Sequence, residues 1–194
     1  LNDNEIDMII DALKETYQPE RNILFFCLLI YAGMSRGSIQ NLKFKDIDIK
    51  NKRLIINEYK YLPIKDVLMQ KINSYIDYVN IKGIKSEHLF PSNYGDCKTK
   101  QLAPGSFNAI LKNNLKKTSI PLERQREINI NFIHESFVKR MYKCGKSLEE
   151  IYFVSDLSLT TIGKYIERSE IEKKINPNSI FKPHCCSYNR KSKS

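Results

Sequence analysis

Residues Leu28–Asp48 read LLIYAGMSRGSIQNLKFKDID, and this stretch contains the change of periodicity that decides the fold. It begins inside a segment, Glu20–Met34, that is apolar nearly all round and so predicts a helix at the centre of the core. Gly33 predicts the end of that helix, and Ser35 predicts the N-cap of a short helix over Arg36–Leu42. Beyond this helix the apolar residues alternate with charged ones, which is typical of strands.

The segments on either side of this change define the fold class. The alternation predicts three short antiparallel strands, at Phe44–Ile49, Leu54–Ile56 and Tyr59–Ile64. Helical spacing predicts further helices at Asn2–Tyr17, Lys65–Asn80, Pro104–Thr118, Asn131–Cys144, Leu148–Ser155 and Leu159–Glu170, with a polar connector at Ser119–Asn129. We therefore predict a mainly α fold with a small antiparallel β-sheet (α+β), forming one domain over residues 1–174 and followed by a basic tail over 175–194.

The charge balance indicates the class of partner. The chain of 194 residues carries 32 Lys and Arg against 22 Asp and Glu, a formal net charge of +10. A polyanion is the natural partner, nucleic acid being the commonest, although a lysine-rich proteome would give the same excess. The longest apolar run, Ile23–Ala32, is too short to span a bilayer, so we expect no membrane partner. The run His184–Cys186 fits no zinc-site spacing, so we expect no metal and no cofactor.

The predicted helix at Pro104–Thr118 has an outer face suited to a DNA groove. Its apolar residues share one side, and its other side carries Asn108, Lys112, Asn113, Lys116 and Lys117. Asn can pair with adenine, and Lys with phosphate or guanine. The alternative is an ordinary solvated face.

Three stretches, in order, resemble the catalytic domain of the tyrosine recombinases, the phage integrase family. Leu28–Asp48 resembles the family's helix, glycine, arginine and helix segment that leads to a hairpin. Asn131–Gly145 (NFIHESFVKRMYKCG) resembles its H-x-L-R-H-x-F helix. Val154–Tyr165 (VSDLSLTTIGKY) resembles the L-G-H segment, whose His precedes the nucleophilic Tyr by nine residues. The resemblance covers about residues 1–170 and implies the family's fold.

The resemblance also implies a reaction. In the family a Tyr hydroxyl attacks a DNA phosphodiester and forms a 3′-phosphotyrosyl link. Two Arg and one or two His stabilise the charge that develops on the phosphate, and a hairpin Lys protonates the leaving oxygen. Tyr165 falls on the nucleophile, and Lys60 is the candidate hairpin Lys.

The other catalytic positions are replaced. The first Arg falls on Ser35 and the acidic residue three places later on Ser38. The H-x-x-R box falls on Asn131 and His134, the residue after it is Glu135, and the later His falls on Asp156. Arg36 sits one place late, and it and His134 are the candidates for partial compensation. One phosphate-binding Arg is typically worth about 10³–10⁵ in phosphoryl-transfer rate, so we expect efficient cleavage to be lost.

We therefore predict a double-stranded DNA-binding protein without catalysis, acting as a transcriptional repressor or accessory factor of a temperate phage or mobile element. One alternative is an integrase that retains strand cleavage, and another is a module whose basic face binds an acidic protein. The predicted DNA contacts are Arg36, Lys43, Lys60, Asn108, Lys112, Asn113, Lys116, Lys117, Lys139, Lys164 and Arg168.

The two ends of the chain carry further expectations. The opening residues resemble the start of the catalytic domain after a linker, so we expect an N-terminal DNA-clamping domain to be missing. The tail from Ile175 either docks on a neighbouring protomer, giving a homo-oligomer, or is disordered. The predicted location is the cytoplasm of a bacterium or phage-infected host, in association with the nucleoid.

Overall fold

The computed structural model describes residues 1–92, 101–103 and 105–175, with side chains at 169 and 171–175 left aside. Within these ranges the chain forms helices α1 Asp3–Lys14, α2 Pro19–Ala32, α3 Arg36–Asn41, α4 Asp66–Ile81, α5 Ser106–Leu115, α6 Leu122–Glu127, α7 Ile130–Lys143, α8 Leu148–Phe153 and α9 Leu159–Ile175. The strands are β1 Ile47–Asp48, β2 Arg53–Asn57 and β3 Lys60–Pro63. The predicted fold class, mainly α with a small antiparallel sheet, is confirmed.

Helix α2 lies at the centre of the core because its apolar residues leave no polar face. It packs against α1, α4 and α7. Gly33 ends it with a φ of 58°, the left-handed conformation that favours glycine. A Cβ on Gly33 would lie 2.5 Å from the ring of Phe137, so the glycine also permits the close approach of α7. This contact places the α2–α3 junction directly beside α7.

The three strands form an antiparallel sheet in the order β1, β2, β3. Leu54 and Leu62 are paired across β2 and β3 and are fully buried. The predicted first strand is too long, because Phe44–Asp46 forms a turn of 3-10 helix instead. The carboxylate of Asp46 accepts the backbone N–H of Lys43 at 2.8 Å, a local bond that competes with strand pairing.

The predicted polar connector at Ser119–Asn129 contains a helix, α6, so the prediction of an irregular segment was wrong. Arg124 explains the local order: its Nη1 donates to Glu127 at 2.7 Å, one helical turn later. Its Nε also donates to Glu5 on α1 at 2.7 Å. These charged contacts hold α6 in a helical turn and tie it to the first helix.

A second, smaller apolar cluster holds α7, α8 and α9 together. It consists of Phe137, Val138, Ile151, Leu157 and Ile162, all buried. Tyr165 packs against this cluster, so α9 presents its tyrosine towards α7. Helix α9 runs five residues past its predicted end at Glu170. None of the described helices is both long and apolar enough to cross a bilayer.

Candidate active site and nucleic-acid interface

The α2–α3 junction, α7 and the loop between α8 and α9 meet at one place. The backbone N–H of Asp156 donates to the carbonyl of Gly33 at 3.3 Å. In return, the backbone N–H of Ser35 donates to Oδ2 of Asp156 at 3.3 Å. Ser35 and Asp156, 121 positions apart in the chain, thus face each other, so two of the positions that the resemblance assigned to a phosphate cradle are together in space.

Ser35 acts as a helix cap. Its hydroxyl accepts the backbone N–H of Ser38 at 3.1 Å and donates to the Ser38 hydroxyl at 2.9 Å. Both serines therefore satisfy the first turn of α3 and each other. A short hydroxyl at this position cannot supply the two parallel N–H donors that an arginine offers to phosphate.

His134 is buried and bonded to the protein. Its Nε2 lies 2.8 Å from the carbonyl oxygen of Met34, and because a carbonyl can only accept, Nε2 carries the proton. Burial lowers the pKa of His134, while the Met34 carbonyl and the Asp156 carboxylate oppose that shift. The imidazole is therefore neutral at pH 7, and its one N–H is directed at the backbone.

Glu135 introduces a negative charge beside Tyr165. Its carboxylate pairs with Lys139 at 2.9 Å and, more loosely, with Arg168 at 3.7 Å. Burial first, and then the charge of Glu135, raises the pKa of Tyr165 above its ordinary value, with Arg168 acting in the opposite direction. The tyrosine hydroxyl is thus harder to ionise than a free phenol, the reverse of what a nucleophile needs.

Lys60 lies at the end of the β2–β3 hairpin and points back towards this site. Its Nζ lies over the ring of Tyr152, 4.1 Å from the centroid. Partial burial lowers the pKa of Lys60, and the charge of Asp156 opposes that shift, so both side chains share one environment. The sequence did not predict a role for Tyr152, because no local pattern indicates a contact between α8 and a hairpin so distant in the chain.

Arg36 is the first residue of α3 and is half-buried. Within the part of the chain that the structure describes, it makes no hydrogen bond or ion pair, so its guanidinium is available to a ligand. Arg140 is a cation on α7 that the sequence analysis did not single out, and its Nη2 donates to the backbone carbonyl of Ile30. That bond fixes Arg140 in the core contact between α7 and α2.

The outer face of α5 is largely as predicted. Phe107, Leu111 and Leu115 are buried, and the exposed residues are Lys112, Asn113, Lys116 and Lys117, with Asn108 half-buried. Asn114 is buried, which the sequence did not indicate. Its Nδ2 donates to Ile110 at 2.8 Å, and its Oδ1 has no partner among the described residues.

The remaining predicted DNA contacts differ in availability. Lys43 pairs with Glu87 at 3.0 Å, and Lys139 pairs with Glu135 as described. Lys164 and Arg168 are exposed on α9. The spacing of Glu135 and Lys139, one helical turn apart, was a signal in the sequence for their ion pair.

No group of metal-ligating side chains occurs in the described ranges. The run His184–Cys186 lies outside them, as does Pro104. The described side chains of the site include the neutral imidazole of His134, the ammonium of Lys60 over an aromatic ring, and the carboxylates of Glu135 and Asp156.

Solved structures share this fold. The XerA recombinase superposes with a TM-score of 0.71 at 18% identity, covering 91% of this chain and 65% of that one. The XerH site-specific recombinase, in a pre-cleavage complex with difH substrate, gives 0.66 at 16%, covering 90% and 52%. The integrase of transposon Tn1549, in complex with transposon right end DNA, gives 0.65 at 14%, covering 91% and 65%.

The chain therefore spans between about half and two-thirds of the length of these three structures. No curated protein sequence matches it significantly. The model of the phage integrase family matches residues 1–170, which include every helix through most of α9 and the whole sheet. Because that match covers most of the chain, the protein belongs to the phage integrase family.

Proposed function

We propose that this chain binds double-stranded DNA without efficient strand cleavage and serves as a transcriptional repressor or accessory factor of a temperate phage or mobile element. One observation carries the proposal. At the phosphate-cradling positions, Ser35 and His134 are bonded to the protein itself, and Glu135 and Asp156 are carboxylates.

The chemistry of phosphoryl transfer explains why this matters. Negative charge builds on the phosphate oxygens in the transition state, and preorganised donors that face that charge supply most of the catalysis. Removing one phosphate-binding arginine costs about 10³–10⁵ in rate. Here both arginine positions are replaced, and Glu135 and Asp156 would repel the charge. The raised pKa of Tyr165 also leaves less of its phenol ionised at a given pH.

DNA binding is supported by the charges that remain available. The exposed lysines of α5 and the unpaired Arg36 can contact phosphates. Two solved relatives of the same fold are complexes with DNA: XerH with difH substrate and the Tn1549 integrase with transposon DNA. The formal net charge of +10 agrees with a polyanionic partner.

Selection of genomic duplex fragments followed by a gel shift at graded salt tests the proposal. We expect one or a few duplexes to bind at least about 100-fold more tightly than random DNA, with affinity falling steeply as salt rises. If no duplex is preferred over random DNA, a repressor or accessory role is wrong. If affinity for DNA is weak and independent of salt, the basic face serves an acidic protein instead.

A second candidate function is an integrase with residual cleavage. The observation that favours it is Tyr165, which keeps its spacing of nine residues after Asp156 and lies beside Arg168 on α9. A nicked suicide duplex would then trap a covalent adduct that survives SDS and is lost in Tyr165→Phe.

The domain limits and the assembly are further proposals. We place the DNA-binding domain at 1–174 and propose that it works together with an N-terminal DNA-clamping domain, as the resemblance to the family implies. Docking of the tail on a neighbouring protomer stays a prediction, since residues 176–194 lie outside the described ranges.

A further inference from the structure

The turn between β2 and β3 carries an aromatic side chain in full contact with solvent. Tyr59 is 92% exposed. Its neighbour Lys60 points the other way, into the site, where its ammonium lies over Tyr152. Two consecutive residues therefore differ in direction: Lys60 lies in the candidate active site, and the ring of Tyr59 projects from the protein.

The position of this ring is set by the backbone around it. The side chain of Asn57 accepts the N–H of Tyr59 at 2.9 Å, which closes the turn. Asn57 also pairs with Lys60 across the strands, after an irregularity in the register between Ile55 and Asn57. The contact of Lys60 with Tyr152 anchors the same end of the hairpin to α8. The tip is thus held in place before any ligand arrives.

Tyr61, the next tyrosine along the hairpin, differs from Tyr59 in its contacts. Tyr61 is paired with Ile55 across the strands, and the guanidinium of Arg53 lies 5.2 Å from its ring centroid. Tyr59 has no ring contact, cation contact or side-chain hydrogen bond within the described ranges. Tyr61 is 58% exposed and has these contacts within the hairpin, whereas Tyr59 has none of them.

The charge around the hairpin indicates which partner would meet the ring. Residues 43–65 contain seven Lys and Arg and only three Asp and Glu, an excess of four cations. Of the three carboxylates, Asp48 is already bonded to Arg53 at 2.8 Å and Asp46 to the backbone of Lys43. Proteins combine cations that follow the backbone with aromatic rings that contact bases on single-stranded nucleic acids, and on duplex DNA they insert apolar side chains between base steps.

We propose that Tyr59 contacts the bases of the bound duplex as a wedge inserted at a deformable step. This inference rests on the proposed function, because it requires DNA to lie across the site beside Lys60. A phosphate near that lysine would bring the adjacent base edges within reach of the next side chain. Inserted apolar rings favour steps that unstack easily, so Tyr59 would add sequence preference without a hydrogen bond.

Matched substitutions test the role of the ring. We expect Tyr59→Ala to lower the affinity for the selected duplex about tenfold, the range typical of a lost base–aromatic contact, and Tyr59→Phe to stay within about twofold. The salt dependence should be unchanged in both variants, because no charge is removed. Tyr17→Ala is the control, since Tyr17 is 87% exposed at the distant α1–α2 connection.

A fluorescence experiment reports the contact directly. The chain contains no Trp, so Tyr59→Trp and Tyr17→Trp each introduce a single reporter. We expect duplex DNA to quench and shift the emission at position 59 and to leave position 17 unchanged.

The outcomes separate this inference from the proposed function. If the unsubstituted chain binds no duplex, both are wrong. If it binds and Tyr59→Ala binds equally well with no quenching in Tyr59→Trp, the base contact is overturned while DNA binding stands. A Tyr59→Ala variant that keeps its DNA affinity but changes the self-association of the free protein would assign the ring to a contact between copies, and the inference would be wrong.

Discussion

Two basic regions of this molecule look alike in sequence and differ in structure. On α5 and just beyond it, Lys112, Lys116 and Lys117 are exposed, and none forms an ion pair within the described ranges. Beside the catalytic positions, Lys139 and Arg168 both lie against Glu135. DNA affinity comes from cations that release counterions from phosphate, and a cation already paired with a carboxylate releases few. The number of lysines and arginines in the sequence therefore overstates the positive charge that the site can offer to DNA.

The largest effect should follow from removing the free cations of α5. We expect the triple substitution Lys112→Gln, Lys116→Gln and Lys117→Gln to lower duplex affinity on the order of 100-fold at physiological salt. The slope of log affinity against log salt should become shallower by about 2.7, since each lost phosphate contact accounts for about 0.9. Titration of a labelled duplex by fluorescence anisotropy at several salt concentrations measures both quantities.

The control for this prediction removes cations elsewhere. Lys82→Gln with Lys85→Gln neutralises two exposed lysines at the end of α4. If this variant loses as much affinity per charge as the triple variant, α5 has no special place at the interface and the comparison is wrong.

Glu135→Gln should move affinity in the opposite direction. The substitution keeps the size of the side chain and removes the negative charge that Lys139 and Arg168 share. We expect a gain in duplex affinity of about tenfold and a salt slope steeper by up to about 1.8. The pKa of Tyr165 should fall, because the charge that helps to raise it is gone, and ultraviolet titration of the phenol would show this. Unchanged affinity would mean that neither cation faces DNA.

Arg36 and Lys43 differ in the same way, one being without an ion pair among the described residues and the other having one. Arg36 has no ion pair in the described chain, whereas Lys43 is 3.0 Å from Glu87. We expect Arg36→Gln to weaken binding about fivefold and Lys43→Gln by less than about twofold, because the negative charge of Glu87 offsets the attraction of Lys43 to phosphate. Equal losses from the two variants, measured in the same anisotropy assay, would contradict the assignment of Arg36 as the available cation.

The smallest effect concerns acid sensitivity. Burial holds the pKa of His134 below its ordinary value, so the unfolded chain takes up this proton at a higher pH than the folded chain. The free energy of unfolding is therefore fully retained above pH about 6.5, the ordinary pKa of histidine. Below that pH it decreases by at most about 1.4 kcal/mol per pH unit on account of His134. Urea unfolding at pH 7.5 and 5.5 measures the loss. His134→Gln can keep the bond to Met34 and should remove this part of the dependence. An identical pH profile in the variant would show that another group is responsible.

Most of the fold follows from local patterns. Single residues fix several helix ends: Ser35 caps α3, Ser147 caps α8, and Gly33 ends α2. The apolar composition of α2 is enough to place that helix in the core. Helix α9 extends past its predicted end, and two further departures from the prediction concern short segments. Asp46 draws the start of the sheet into a 3-10 turn, and α6 depends on Arg124 bonding to Glu5, a residue 119 positions away.

The site was less predictable because its contacts are long-range. The pairing of Glu135 with Lys139 has helical spacing and was within reach of the sequence. The bond from His134 to Met34 and the contact of Lys60 with Tyr152 join distant segments, and no local signal announces them. The sequence shows that a residue at a catalytic position has been replaced. Only the structure shows that the replacing side chain is hydrogen-bonded within the protein.

According to the proposed function, this site binds duplex DNA without strand cleavage. The most direct test is the yield of covalent adduct on a nicked suicide duplex, at saturating DNA, from pH 6 to pH 10, beside Tyr165→Phe. We predict that the unsubstituted chain stays at the level of the Tyr165→Phe variant at every pH while both bind the duplex equally. An SDS-resistant adduct that accumulates near pH 7.5 and is absent from Tyr165→Phe would contradict the account.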